Sequence, residues 1–292
     1  MTTTRPNLLV AYLATPGGED ALALGAQLAQ SFDADLKICL VVPPSSPVDQ
    51  AVAPGDFQEI LDRQATTWLD DALDTLPDEV HGAGYVAEYE NTAEGLSTEA
   101  ERLNSSMIVV GGSGGGILGR HTLGSVVTNL LHTSTTPVAV TPRGMREMVA
   151  PVTRITCAVG RRPGVDALLR AATQACARAG VPLRLLSLLP VDNGISNNHD
   201  KDSDAHHAVA DHLDTTVAAV RADLPDGHPI TTAIATGKTV EDAAASLDWE
   251  PGDLLYVGSS RLAQPFHLFL GSTAAKMLRV LAVPMIVVPR GA

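Results

Sequence analysis

Short apolar runs alternate along the chain with longer stretches of helical period. LLVAYLA (8–14) and LKICLVV (36–42) have the length and apolar density of buried strands, and between them Leu22, Ala26, Ala29 and Phe32 fall on one side of a helix. From 57 to 76, Phe57, Ile60, Leu61, Ala65, Trp68, Leu69, Ala72, Leu73 and Leu76 recur at amphipathic-helix spacing. A shorter strand is predicted around Gly84–Tyr89. Asn91 then opens a helix with Ala93, Leu96, Ala100 and Leu103 inward. MIVVGG (107–112) reads as a strand, Ser125–His132 as a helix, and PVAVTP (137–142) as a closing strand. Five strands alternating with four helices predict an α/β fold with a parallel sheet, right-handed crossovers and helices on both faces.

The pattern then repeats. A shift of 147 residues lays Leu8 on Ile155, Ala11 on Ala158, Pro16 on Pro163, Gly111 on Gly258, Gly124-Ser125 on Gly271-Ser272 and Pro142-Arg143-Gly144 on Pro289-Arg290-Gly291. One shift holds over nearly the whole length, which predicts a tandem duplication: domain 1 over 1–146 and domain 2 over 152–292, meeting in GMREMVAP (144–151). Thr239, which the shift lays on Thr92, makes with Asp242 the corresponding capping box in the second half. The segments 43–56 and 190–204, rich in turn formers and equivalent in the repeat, are expected to be mobile loops over the carboxyl edge of the sheet. Val138–Val140 and Met285–Val288 end their sheets, and such apolar edges invite pairing, between the halves or in a homodimer.

Composition narrows the function. The chain has 292 residues, 45% hydrophobic and 18% charged, enough apolar material for sizeable cores, and only 3% aromatic, so Ala, Leu and Val must build them. A net charge of −13 argues against nucleic acid and anionic membrane surfaces as partners. Cys39, Cys157 and Cys176 all lie in apolar periodic segments, which predicts buried free thiols in a reducing cytosol. With no apolar run long enough to span a bilayer and no signal-peptide pattern, a cytoplasmic location is expected.

Candidate chemistry gathers in IVVGGSGGGILGRHTLGSVV, where Gly111-x2-Gly114-x9-Gly124-Ser125 follows a strand and opens a helix. Residues without a Cβ let backbone amides approach an anion, and a helix start adds unpaired amides and a positive dipole end, so this reads as an anion cradle. The charge distribution agrees: no Asp or Glu lies between Glu101 and Glu147, and none follows Asp253. Those windows hold Arg102, Arg120, Arg143 and Arg146, then Arg261, Lys276, Arg279 and Arg290. A buried strand, a helix and a glycine-rich link would also leave little room for carboxylates.

Other motifs in the chain are weaker. Gly111–Gly115 fits G-x-S-x-G, yet the fold restarts at residue 152 before a downstream acid and histidine could complete a triad in one sheet. Gly114–Gly119 fits G-x-G-x-x-G but follows the fourth strand and has no acidic residue about 20 positions on for a ribose. His199, His206, His207 and His212 cluster with several Asp, but without a second pair of zinc-like spacing, and the run reads as a solvated loop entering a helix. Trp68 and Trp249 read as packing residues.

Two copies of a strand-turn-helix start, a fourth strand ending in Gly-x2-Gly-x9-Gly-Ser, and a closing PVAV or PMIVV strand before PRG resemble a tandem universal stress protein. The resemblance implies two Rossmann-like doubly wound five-stranded sheets of order 3-2-1-4-5, paired through strand 5, with ATP, with or without magnesium, in the crevice between strands 1 and 4. In domain 1 it implies adenosine at Ala11 and the backbone of Val41, and phosphates at Gly111, Gly114, Gly124, Ser125 and Val126. In domain 2 it implies a weaker or structural site at Gly258, Gly271, Ser272 and Thr273, because Arg261 replaces the equivalent of Gly114. Leu13 and Gly160 stand where ATP-binding members usually carry an Asp. A charged hydrogen bond of that kind is worth about 1.5–3 kcal/mol, or roughly tenfold to a hundredfold in affinity. With no Walker lysine, acidic magnesium cluster or placed base, the expected role is a non-enzymatic stress protein whose nucleotide biases a partner-binding surface; the alternative is a ligand-free interaction scaffold.

Overall fold

The computed structural model describes residues 5–44, 56–112, 123–148, 150–160, 165–190, 199–260, 263 and 266–291. In the first half, strands β1 (Asn7–Ala11), β2 (Asp35–Val42), β3 (Gly82–Glu88), β4 (Met107–Gly111) and β5 (Val138–Thr141) alternate with helices α1 (Pro16–Phe32), α2 (Asp56–Asp74), α3 (Thr92–Arg102) and α4 (Ser125–Thr133). A 3-10 turn at Met145–Glu147 leads to the second half. There β6 (Arg154–Ala158), β7 (Leu183–Pro190), β8 (Ile230–Gly237), β9 (Asp253–Gly258) and β10 (Met285–Val288) alternate with α5 (Asp166–Ala179), α6 (His199–Arg221), α7 (Val240–Ala245) and α8 (Ser272–Val280).

Within each half the strands are parallel in the expected order 3-2-1-4-5. The two fifth strands then pair antiparallel, Met285 opposite Val140 and Val287 opposite Val138, so that both halves share one ten-stranded sheet, β3-β2-β1-β4-β5-β10-β9-β6-β7-β8. An antiparallel junction between parallel halves sends their strand ends in opposite directions. The two carboxyl edges, where ligands of such sheets bind, therefore lie on opposite sides of the molecule. One face of the sheet packs Leu24, Leu28, Leu69, Leu168 and Leu213 from α1, α2, α5 and α6; the other packs Leu96, Leu130, Ala243 and Met277 from α3, α4, α7 and α8.

Local signals explain the element ends. The Thr15 hydroxyl accepts from the Gly18 amide and Pro16 follows at the first helical position, a favourable start for α1. Thr239 caps α7 by accepting from the Asp242 amide, as its capping box predicts. Asn91 Oδ1 accepts from the Ala93 and Glu94 amides at 3.0 and 3.1 Å, starting α3 as expected. Asn91→Ala should cost about 1 kcal/mol, read as a lower urea midpoint at unchanged slope.

Three features differ from expectation or extend it. Ile60 and Leu61, expected inward, are 53% and 46% exposed. The nineteen-residue α2 spans roughly 28 Å against roughly 23 Å for the seven-residue β3, so its first turns overhang the sheet. The histidine- and aspartate-rich run is helical already from His199. Most of the two segments expected to be mobile, 45–55 and 191–198, lies outside the described residues. The three cysteines are free and buried, and burial pushes the Cys39 and Cys176 thiols up to about 11 and about 12. Among the described residues, no helix is long and apolar enough to cross a membrane, and no group of three metal-ligating side chains converges.

Candidate functional site

The first half's strand order reverses between β1 and β4. Ala11 ends β1 half-buried and paired with Cys39 of β2; Val41 lies further along β2 opposite Ala87. Ala11, Val41 and Val126 all border the same hydrophobic cluster, so three of the candidate residues share one face of the sheet, beside α3 and α4. Gly111 ends β4 next to Thr141 of β5. Gly114 lies outside the described residues.

Helix α4 begins at Gly124, whose extended backbone (φ −65°, ψ 162°) turns the chain into the helix without a side-chain cap. Its first turn carries no acidic residue, and no group among the described residues accepts from the amides of Ser125, Val126 or Val127. Helices α1, α3 and α7 each have both a capping side chain and a first-turn acid. The positive end of α4 is left for something else to meet.

The glycines at the end of β4 have a second physical reason. A Cβ on Gly111 would stand 1.9 Å from the Gly17 carbonyl oxygen, and one on Gly112 would stand 2.6 Å from that of Thr141. The Pro16–Gly18 turn thus lies directly on the end of β4, and a Cβ on Gly18 would in turn stand 1.9 Å from the Leu13 carbonyl oxygen. These contacts, which composition and spacing did not reveal, build the lip of the crevice from backbone. Thr15-Pro16 at the helix start was the sequence signal that could have found them. Leu13 sits at this lip with 48% of its surface exposed. Nearby, burial pushes the Tyr12 phenol up, helped by Glu19 and Asp71.

Space rearranges the charge pattern. Arg146 donates to Asp20 at 3.0 Å and to the Pro16 carbonyl, and lies 3.3 Å from Glu19, while Arg102 forms a 2.6 Å pair with Glu99. Two arginines of the acid-free window are therefore neutralised by carboxylates that precede it in the chain. The same Asp20 accepts from the backbone amides of Gly144 and Arg146, Gln27 donates to the Ala150 carbonyl, and Ser31 accepts from Val152, so α1 holds the connection between halves along its length.

In the second half, Gly258 ends β9 with only ordinary contact to Leu168, and Gly271, Ser272 and Thr273 start α8, again without a side-chain cap or a first-turn acid. In the loop between them most of the described amides are spent inside the protein. Ser259 donates to Val288, Ser260 to Phe269, Ala263 to Ser260 and Phe266 to Arg290, while the Ser259 hydroxyl accepts from the Phe269 amide at 2.7 Å. Arg261 is outside the described residues. At the mouth of this second crevice the Nε2–H of His212 donates to the Gly160 carbonyl, which gives one member of the histidine cluster a structural place.

Known proteins share this architecture. The universal stress protein family model matches residues 4–142 and again 151–289. Universal stress proteins of Mycobacterium bovis and Mycobacterium tuberculosis are 26% identical over 300 aligned residues, covering 97% of this chain and 99% of each relative. Among solved structures, a universal stress protein of Archaeoglobus fulgidus superposes with a TM-score of 0.66 at 17% identity, covering 98% of both chains. A functionally unknown protein of Pseudomonas aeruginosa gives 0.61 at 18% identity, covering 98% of this chain and 92% of its own. With both halves matched by one family and the duplicated sheet in place, this chain belongs to the universal stress protein family.

Proposed function

We propose that the chain is a cytoplasmic, non-catalytic stress protein whose first half binds the phosphates of an adenine nucleotide, ATP in the first instance, at the start of α4. The observation that carries this is the uncapped, acid-free first turn of α4, its three amides without partners among the described residues, beside the point where the strand order reverses. In this reading Gly124, Ser125 and Val126 meet phosphate, with Gly111 and Gly114 in the preceding loop, and Ala11 and Val41 line the adenosine side. Gly258, Gly271, Ser272 and Thr273 form a vestigial counterpart, since the loop before them has turned its amides inward.

Ser125→Pro provides the test. Proline is at home in the first helical position, and the extended Gly124 before it suits a following proline, so the variant removes one amide and one hydroxyl without disturbing the helix. In calorimetric titration with ATP and AMP, affinity should fall roughly tenfold or more while the unfolding midpoint stays put. Unchanged affinity would sink the phosphate assignment.

The ligand-free scaffold is favoured by a different observation: the close approach of Gly17 to Gly111 gives that glycine a packing role that needs no ligand. Absence of heat with millimolar ATP on the unmodified protein decides for it.

A further inference from the structure

Helix α4 has a second end. A helix leaves its last carbonyls without intrahelical partners, and in α4 two carbonyls at that end are met by the other half of the molecule. The Leu270 amide donates to the Leu131 carbonyl at 3.0 Å, and the Leu268 amide donates to the Ser134 carbonyl at 2.8 Å. Leu268 and Leu270 are buried in the cluster that holds Val127, Leu130 and Leu131. Between them the Phe269 ring meets the His132 imidazole edge-on, centroids 5.0 Å apart. The donors belong to the loop between β9 and α8, the repeat's counterpart of the first half's glycine loop. The antiparallel junction makes the meeting possible, because it brings the carboxyl edge of the second half to the side where α4 ends.

The described part of the first half's loop also meets the second half. At the repeat-equivalent place, Leu123 faces Leu278, Leu281 and Val283 of the second half across a cavity of about 10 Å³, room for about one water. Thr141, only 2% exposed, also lines it, and its hydroxyl has no hydrogen-bond partner among the described residues.

We propose that the second half's loop is a clamp that positions α4, so that the nucleotide site at the helix start is completed by residues of both halves; Phe269, Leu268 and Leu270 are its positioning residues. This rests on the phosphate assignment above. A nine-residue helix fixed at its carboxyl end presents its amino-end amides in one place, and a ligand held there must in turn tighten the far contact, since coupling between two sites is reciprocal.

The test uses the full chain, Phe269→Ala and Phe269→Leu. The Phe269 ring is 36% exposed, so its truncation removes little core. Amide exchange in the free protein should accelerate about threefold to tenfold across α4 in the alanine variant, stay unchanged in β9 and β10, and return towards the parent rate with leucine. ATP affinity should weaken by a similar factor, and saturating ATP should slow exchange of the Leu268 and Leu270 amides in the parent protein, an effect that packing alone would not produce. Unaltered α4 exchange in Phe269→Ala overturns the clamp. Faster exchange with unaltered affinity overturns its positioning role. If the parent protein binds no ATP, the nucleotide reading and the positioning of its site fail together, while the exchange rates still decide whether the clamp exists.

Discussion

Asp253→Ala is expected to lower stability by about 3–5 kcal/mol, more than any surface change in the chain, because it leaves buried cations without their counter-charge. Asp253 is fully buried at the start of β9. Its carboxylate accepts from Arg154 Nε at 2.9 Å, from Arg154 Nη2 at 2.6 Å and from the Glu250 amide at 3.1 Å. A second guanidinium, Arg184, is held over the Trp249 ring at 4.8 Å, donates to Thr156 and to the Asp248 carbonyl, and places Nη2 3.6 Å from the same carboxylate. Burial, with Arg154 alongside, pushes the Arg184 pKa down, the mark of a cation that depends on a nearby anion. Asp253→Asn keeps the shape and loses the charge, so about 2 kcal/mol is expected. Urea unfolding of the three proteins tests the order parent, Asn, Ala; equal midpoints would show that the charge cluster is incidental. In the first half Ser106 and Asn7 occupy the equivalent corner. There Asn7 donates to the Leu103 carbonyl and Ser106 to the Asn7 carbonyl, so neutral groups close it.

Gly111→Ala is the second large effect. A methyl group 1.9 Å from the Gly17 oxygen and 2.5 Å from the Gly17 carbonyl carbon meets backbone on both counts, and neither a rotamer change nor a small shift relieves it. Either β4 or the start of α1 must move. About 3 kcal/mol is expected, at the upper end of ordinary overpacking. Gly258→Ala serves as the control, because its added Cβ would find only the Leu168 side chain, at 3.5 Å and beyond. Thermal unfolding of both variants should separate them clearly, and a Gly111→Ala protein as stable as the Gly258→Ala protein would remove the packing argument for that glycine.

The alternation of strands and helices and the inward faces of most helices were legible because burial imposes a period of two or of about 3.6 on the residues themselves; the strand order within each half came only from the family resemblance. Asn91 and Thr239 were legible for a related reason, since a cap acts within four residues. What the chain hid depends on segments distant in sequence. Carboxylates of α1 and α3 neutralise Arg146 and Arg102, so a window empty of acids along the chain is not empty in space. The spacing of Gly111 and Gly124 pointed to an anion cradle, yet a side chain at Gly111 is barred by the Gly17 carbonyl, more than ninety positions earlier. Ile60 and Leu61 kept the helical period but are left largely exposed. No local pattern could announce that the Leu268 and Leu270 amides would donate to carbonyls of the opposite half.

The four-residue strands β5 and β10 that join the halves are buried rows, Val-Ala-Val-Thr against Met-Ile-Val-Val. In two separate chains such rows would meet only as concentration allowed, and every residue would have to suit an identical copy of itself. The tether through residues 144–151 fixes the encounter at an effective concentration of roughly millimolar, whatever the dilution. Once partnership is guaranteed by covalent linkage, identity is no longer required. One copy can surrender its own chemistry to serve as scaffolding for its twin.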